Sequence, residues 1–467
     1  MKGLRIMSLD KVYVLPHPPL AIPDVGRGQE KGIGETIKAF REVADQIAGE
    51  RPETIVFITP HNVLYADYFH ISPGPAAHGD FSRFNAPGTK LEARYDQEMA
   101  EAIIEAANRE GISTGNKGEK DASLDHGTTV PMWFINERFS DYSAIRISQS
   151  GMNPSEHYRL GMVITEVAAR LGRKTVLIAS SDLSHKLKSD GPYGYTPEGP
   201  EFDVEVVKCL KDGDFLALMQ IPESTLERAA ECGYNSLMVM AGCFDRRNVK
   251  ARVLSYEGTY GVGYAIAAVE AAGPDEGRNI LDKHMKITLD DALLRREAED
   301  DYRALARKSL EYTIAEGRDL TLPKGLPDEM VTNKAGVFVT LYKNERLRGC
   351  IGTIAPNTQC IALEIIRNAV SAGLNDTRFD PVSPSELPYL TYKVDVLSEP
   401  EPISGPEELD VKRYGVIVTS GSRRGLLLPN LDGVDTVREQ IEIARQKAGI
   451  PEGMQFNLER FEVTRHE

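Results

Sequence analysis

Ile55-Val-Phe-Ile-Thr-Pro-His61 is a short apolar run closed by a proline and then a histidine. β-Branched and aromatic residues in an unbroken run predict a buried strand, and Pro60 predicts its end. The same device occurs earlier as Val12-Tyr-Val-Leu-Pro-His17. Between the two, Ile33, Ile37, Phe40, Ala44 and Ile47 recur at helical spacing, and Arg51-Pro52 ends the helix. Strand, helix and strand in that order read as a parallel βαβ unit. Open α/β sheets bind ligands at the carboxyl ends of their strands. Two histidines delivered there, 44 positions apart in the chain, can face one another and supply half of a metal site.

Composition narrows the class. A chain of 467 residues predicts two or three domains. Hydrophobic residues at 41% suffice for ordinary cores, and 27% charged residues match a soluble protein. The net charge of −15 and pI near 5.3 argue against nucleic acid or an anionic membrane as a partner, because both need a basic footprint. No apolar run reaches membrane-spanning length, and the opening residues carry no signal-peptide pattern. The five cysteines, Cys209, Cys232, Cys243, Cys350 and Cys360, are sparse and form no CxxC. Free thiols in a reducing cytoplasm are therefore expected.

Further along, residues 72–89 read as a loop in which Phe81 and Phe84 either cap a pocket or pin the loop down. A helix is predicted over 91–110, another over 130–139 after Asp125-His126-Gly127, and a third over 155–171. Thr175-Val-Leu-Ile-Ala-Ser180 predicts a further buried strand running into Ser181-Asp182-Leu-Ser-His185. Residues 201–219 read as helix, Glu231-Cys232-Gly233 opens the apolar helix 236–244, and strands follow at 251–256 and 261–269. This gives an N-terminal α/β domain over 1–272 with a mostly parallel central sheet. A linker is expected at 273–289, where composition turns polar and Gly/Pro-rich. Over 290–467, runs of strands with segregated helices predict a smaller α+β domain.

Five residues form the candidate site. His17 and His61 supply neutral imidazole, which suits iron, zinc or copper, and one carboxylate added to them would make a facial triad with open positions. Glu231 is the candidate for that carboxylate, its alternative being a helix-start acid favoured by the dipole. His185 is then free to serve as a base, with Asp182 either orienting it or capping a helix. His126 is placed to donate a hydrogen bond to substrate, and Asp125 either holds it or caps its helix.

His17-Pro-Pro-Leu20, Pro60-His61, Gly79-Asp-Phe81, Asp125-His-Gly127 with Val130-Pro131, and Asp182-Leu-Ser-His185 together resemble the class III extradiol dioxygenase superfamily, LigB-like and Memo-like, over about residues 11–270. The resemblance implies ferrous iron held by His17, His61 and Glu231, His185 as catalytic base, His126 as a second active-site group, and a small aromatic substrate opened with dioxygen. In the Memo branch a cysteine before glycine stands near the third ligand position, and this chain has both Glu231 and Cys232. Glu231 is preferred because an oxygenase iron favours a hard carboxylate. Zinc or copper are the other metals this donor set admits.

Leu347-Arg-Gly-Cys-Ile-Gly352, Asn375-Asp-Thr-Arg-Phe379 and Gly425-Leu-Leu-Leu-Pro429 resemble an AMMECR-type domain over about 290–467. Cys350 has no histidine near it in sequence, so a buried thiol is its default. Arg348, Asp376 and Arg378 read equally as a polar pocket or an ion-pair network. The fusion resembles the AmmeMemoRadiSam group, which implies a radical-SAM partner on a separate chain, since this one lacks the three-cysteine cluster motif. A homo-oligomer is compatible with all of this. Three functions are carried forward: a ferrous extradiol ring-cleaving enzyme, a metal-dependent enzyme of other chemistry on a small metabolite, and a metal- or peptide-binding partner module.

Overall fold

The computed structural model describes residues 9–343, 346–384, 386–431 and 433–467. The chain divides into two compact units, 1–285 and 286–467. Among the described residues no helix is long and apolar enough to cross a membrane.

The first unit is built on a six-stranded sheet. Its strands in chain order are β1 (Leu9–Leu15), β2 (Thr54–Thr59), β3 (Ser143–Ser148), β4 (Thr175–Ser180), β5 (Arg247–Glu257) and β6 (Tyr264–Pro274). They lie in the order β3-β2-β4-β1-β6-β5. The first four run parallel, and β6 and β5 add an antiparallel edge. The helices that cover it are α1 (Gly34–Glu50), α2 (Gln97–Arg109), α3 (His126–Asn136), α4 (Pro154–Leu171) and α5 (Tyr234–Gly242).

Alternation along the strands divides the core into two layers. Val12, Val14, Val56, Ile58, Leu177 and Ala179 face α4 and α5, while Tyr13, Leu15, Ile55, Phe57, Val176 and Ile178 face α1 and α3. Both faces are dry, which is why the parallel strands read as unbroken apolar runs rather than alternating ones. Each fully buried Val, Leu, Ile or Phe contributes about 1.5–3 kcal/mol over leaving it exposed. Helices α4 and α5 cross at glycines: a Cβ on Gly242 would stand 1.9 Å from the Tyr158 carbonyl, and one on Gly161 would stand 2.0 Å from that of Val239. That contact seats the start of α5 over the sheet's carboxyl edge.

Two stretches differ from the sequence reading. Residues 72–89, expected as a loop, and 91–94, expected as the start of a helix, carry the hairpin Ala76–Phe81 and Ala86–Arg94, and the helix begins only at Gln97. Its strands carry exposed polar residues on one side and Gly and Pro within them, so no apolar period marks it. The stretch 273–289, expected as a linker, contains the boundary between the two units but is not irregular: it is the end of β6, a short turn and the first part of a helix, Ile280–Glu297. Other helices match with shifted ends, and 201–219 breaks at Gly213 into Glu198–Asp212 and Phe215–Met219.

One buried charge organises the loop before α3. Arg146 on β3 is 1% exposed. It donates to Glu119 Oε1 (2.5 Å), Ser72 Oγ (2.8 Å) and the Ser123 carbonyl (2.7 Å), and lies 3.6 Å from Asp125. These bonds fix segment 119–125, and with it the N-terminus of α3.

The second unit is α+β. One antiparallel sheet orders Arg346–Gly352, Val337–Lys343, Leu390–Leu397 and Val463–His466, and packs helices Asp301–Glu316 and Ile361–Leu374. A second orders Glu401–Ile403, Asn457–Phe461, Gly415–Ser420 and Arg423–Leu427, against helix Val437–Lys447. Arg378 pairs with Asp376 at 2.6 Å and Arg348 with Glu386 at 3.0 Å, the ion-pair reading of that motif. Cys350 accepts a hydrogen bond on sulfur from Thr340 at 3.2 Å, and its amide donates to Asp376.

Removing one partner of a buried ion pair strands the other charge. Arg146→Ala is expected to lower unfolding free energy by about 3–5 kcal/mol. Urea denaturation monitored by far-UV circular dichroism checks it.

Candidate metal centre

Strands β1, β2, β3 and β4 end in register. Leu15 pairs with Ser180 and Thr59 with Ser148, so the residues just beyond each strand meet at one edge. His17 follows β1, His61 follows β2, Gln149 follows β3, and Asp182 and His185 follow β4. Cys232, two residues before α5, arrives over the same edge.

His17 sits at the centre and is 1% exposed. Its Nε2 lies 2.9 Å from His61 Nε2, 3.5 Å from Cys232 Sγ and 3.6 Å from Asp182 Oδ2. Its amide donates to Asp182 Oδ1 at 2.7 Å. Its Nδ1 lies 2.8 Å from Ser180 Oγ, and that hydroxyl donates to the Gly127 carbonyl at 2.6 Å. A hydroxyl has one proton to give. Ser180 therefore accepts from His17 Nδ1–H, and the lone pair of Nε2 is left pointing at His61 and Cys232.

The His126 ring stacks on His61 at 4.0 Å, with 21° between planes, and stands 5.4 Å from His17. It is the first residue of α3. Asp125 is the N-cap, accepting from the Thr128 amide, and Thr59 donates to its Oδ1 at 2.5 Å. His185 lies within 4.8 Å of Asp182 and Cys232 through its ring nitrogen, and its ring stacks on Tyr193 at 5.0 Å.

Electrostatics keep the imidazoles neutral. Burial, then the neighbouring histidines His61, His126 and His185, hold His17 well below the usual range. Burial and His126 bring His61 down to about 4, although its outer side meets solvent, and Asp125 opposes this. Burial and His61 bring His185 to about 4. Burial also lowers His126, against Asp125. Asp182 is pushed up to about 7 by burial, against the hydrogen bond from the His17 amide. Burial, Asp182 and Glu231 raise the Cys232 thiol.

The five residues expected at the site divide four to one. His17, His61, His126 and His185 converge. Glu231 does not join them: its Oε2 accepts from the amide of Tyr234, the first residue of α5, at 2.5 Å, and the neighbouring Cys232 takes the place beside His17. The three groups close enough to share an ion are His17, His61 and Cys232, with Asp182, His185 and Cys232 as an overlapping set. Gly233 explains the approach. A Cβ there would stand 1.9 Å from Ser181 Oγ, so only glycine lets this segment lie on the end of β4. Gln149 donates to the Cys232 carbonyl at 3.1 Å and to Ser236 at 2.7 Å, pinning the turn. Sequence reasoning passed over Gln149 and Ser180, whose signal was their place at strand ends.

The donor set fits a metal ion. The bare Nε2 of His17 faces His61 Nε2 at 2.9 Å, a contact that either a proton on His61 or a shared cation satisfies. Bonds of about 2.0–2.1 Å to nitrogen and 2.3 Å to sulfur place tetrahedral donors roughly 3.3 Å (N to N) and 3.6 Å (N to S) apart. The observed 2.9 Å and 3.5 Å are close to this. A cation would also reverse the raised pKa of the thiol, since a coordinated thiol is deprotonated.

A cavity of about 1020 Å³ opens beside His61 and His126, between the 76–94 hairpin and segment 118–125. Phe81 is fully buried and anchors the hairpin, while Phe84 lines the cavity with its ring 5.5 Å from His126.

A mostly parallel sheet that gathers histidines and a thiol at its carboxyl edge gives an α/β domain with a candidate metal site. The chain belongs to the LigB family, the catalytic LigB subunit of aromatic ring-opening dioxygenase, whose sequence model matches residues 11–267, and residues 303–467 match that of AMMECR1. A protein of Clostridium acetobutylicum is 43% identical over 468 residues, spanning 98% of this chain and 99% of its own. One from Thermotoga maritima is 48% identical over 170 residues, 36% of this chain and 98% of its own. Among solved structures, an uncharacterised protein from Pyrococcus horikoshii is 31% identical over 36% of this chain and 91% of its own, with a TM-score of 0.33. An uncharacterised protein from Escherichia coli K12 is 13% identical over 56% and 99%, with a TM-score of 0.41.

Metal titration separates the two candidate third ligands. Cys232→Ala is expected to abolish stoichiometric binding of ferrous or zinc ion, and Glu231→Gln to leave it near wild type. Ser180→Ala, which frees the His17 tautomer, should weaken binding by about 10–100-fold. Calorimetry and metal analysis read all three.

Proposed function

We propose that the first unit is a non-haem, metal-dependent oxidoreductase of the extradiol dioxygenase type, acting with dioxygen on a catechol or similar vicinal diol. The observation that carries this reading is the facing pair of His17 and His61 nitrogens, flanked by His126 and His185. His17, His61 and Cys232 would hold a ferrous ion, which when bound supplies Lewis acidity and one-electron chemistry. His185 takes a proton from a substrate hydroxyl, because burial and His61 keep its imidazole neutral. Tyr193 fixes the plane of that ring. His126, held by the capped start of α3, offers a ring N–H to the substrate.

A second reading follows from one observation. The third donor is a thiol rather than a carboxylate, and thiolate with imidazole suits zinc or copper as well as iron. On this reading the ion acts as a Lewis acid on a small metabolite without oxygen. Association with a separate radical-SAM protein belongs to the proposal too and rests on the two-domain resemblance alone.

Protein prepared without oxygen and loaded with ferrous ion is expected to consume dioxygen with a catechol. His185→Ala should retain the metal and lose about 10²–10⁴-fold in kcat. An oxygen electrode and metal analysis measure these. Full activity in His185→Ala removes that base from the mechanism, and turnover without oxygen favours the second reading.

A further inference from the structure

The cavity beside His61 and His126 is larger than one diol ring needs. Its volume of about 1020 Å³ lies at the upper end of the range of about 300–1,000 Å³ that suits drug-sized ligands. Tyr65, Phe84, Leu91 and Leu124 form its apolar surface, and His61 and His126 form its inner end. Phe84 meets the His126 ring edge-on, at 70° between planes, so the aromatic surface continues outward from the histidines along the hairpin.

The charges around this space offset one another within the protein. Arg83 faces Asp121 at 3.4 Å. Arg146 takes Glu119 at 2.5 Å and lies 3.6 Å from Asp125. Lys90 stands opposite Asp80 in the hairpin register, and Asp80 also accepts from the Ser82 amide. The cavity lining itself carries three basic side chains, Arg83, Lys90 and Lys120, and four acidic ones, Asp80, Glu119, Asp121 and Asp125. A neutral occupant leaves the Arg83–Asp121 and Arg146–Glu119 pairs intact, whereas a polyanion such as a nucleotide would meet an acidic excess in the lining.

We propose that this cavity is a subsite for the body of an uncharged, amphipathic, multi-ring substrate whose diol ring occupies the inner end. The proposal rests on the diol reading above only for the identity of that inner group. Leu91 and Phe84 are the residues that select the body, Leu91 by apolar contact and Phe84 by stacking.

The test uses the full-length, metal-free protein and two probes, catechol and quercetin, a flavonol that carries the same catechol ring on a larger aromatic body. Calorimetry should show quercetin binding at least about tenfold more tightly, the effect of burying a second ring system. Leu91→Asp and Phe84→Ala should each remove most of that advantage, with Leu91→Asp leaving catechol affinity within about threefold of wild type. Circular dichroism melts confirm that both variants fold. Equal affinities for the two probes, or an advantage untouched by both substitutions, would overturn the proposal. Oxygen uptake plays no part in this readout. Failure of ring opening therefore leaves a positive result standing, and failure here leaves ring opening of a small diol untouched.

Discussion

A single hydroxyl proton sets the character of the centre. Ser180 gives it to the Gly127 carbonyl, so Ser180 must accept from His17 Nδ1, and the opposite nitrogen of that buried ring is bare. Three neighbours converge on His17. His61 presents its own nitrogen at 2.9 Å, Cys232 brings sulfur to 3.5 Å, and Asp182 accepts from the amide of the same residue. The bond to Gly127 also ties the ring to α3, whose first residue is His126.

The sheet makes this alignment rigid. Parallel pairing of β1 with β4 and of β2 with β3 fixes where each strand ends, and a slip of one residue would turn His17 or His61 to the other face. The dry layers on both sides oppose such a slip. Arg146 extends the same order outward by holding segment 119–125 against β3. The metal end is thus carried by strands and a capped helix, while the larger cavity is walled by a surface hairpin and a loop. That division places the converging histidines and thiol on the rigid part and the cavity wall on a surface ribbon and loop, the kind of segment most free to vary.

Much of the fold was legible because its signals were local. The runs 55–59 and 175–180 are apolar throughout, and Pro16 and Pro60 mark the ends at which His17 and His61 appear. The hairpin was not legible, since Asp80, Lys90 and Gly88 give a surface ribbon no apolar period. That Cys232 rather than Glu231 stands beside His17 has a finer cause. Both residues suit a metal, and they are adjacent in sequence. Which one faces His17 depends on how Gly233 lets the chain turn against Ser181, a contact between segments about fifty residues apart. The reading of Glu231 as a helix-start acid needed only local chemistry, and that is the role the structure gives it. In the second unit, Cys350 departs from the buried thiol expected of it: it is half-buried, bonded to Thr340 and Asp376 beside the Arg378 ion pair.

X-ray absorption at the metal edge of reconstituted, full-length protein tests the central claim most directly. The expected spectrum contains one sulfur at about 2.3 Å with nitrogen neighbours at about 2.0–2.1 Å, and the sulfur shell vanishes in Cys232→Ser. A first shell of nitrogen and oxygen alone in the wild-type protein, unchanged by that substitution, would contradict it.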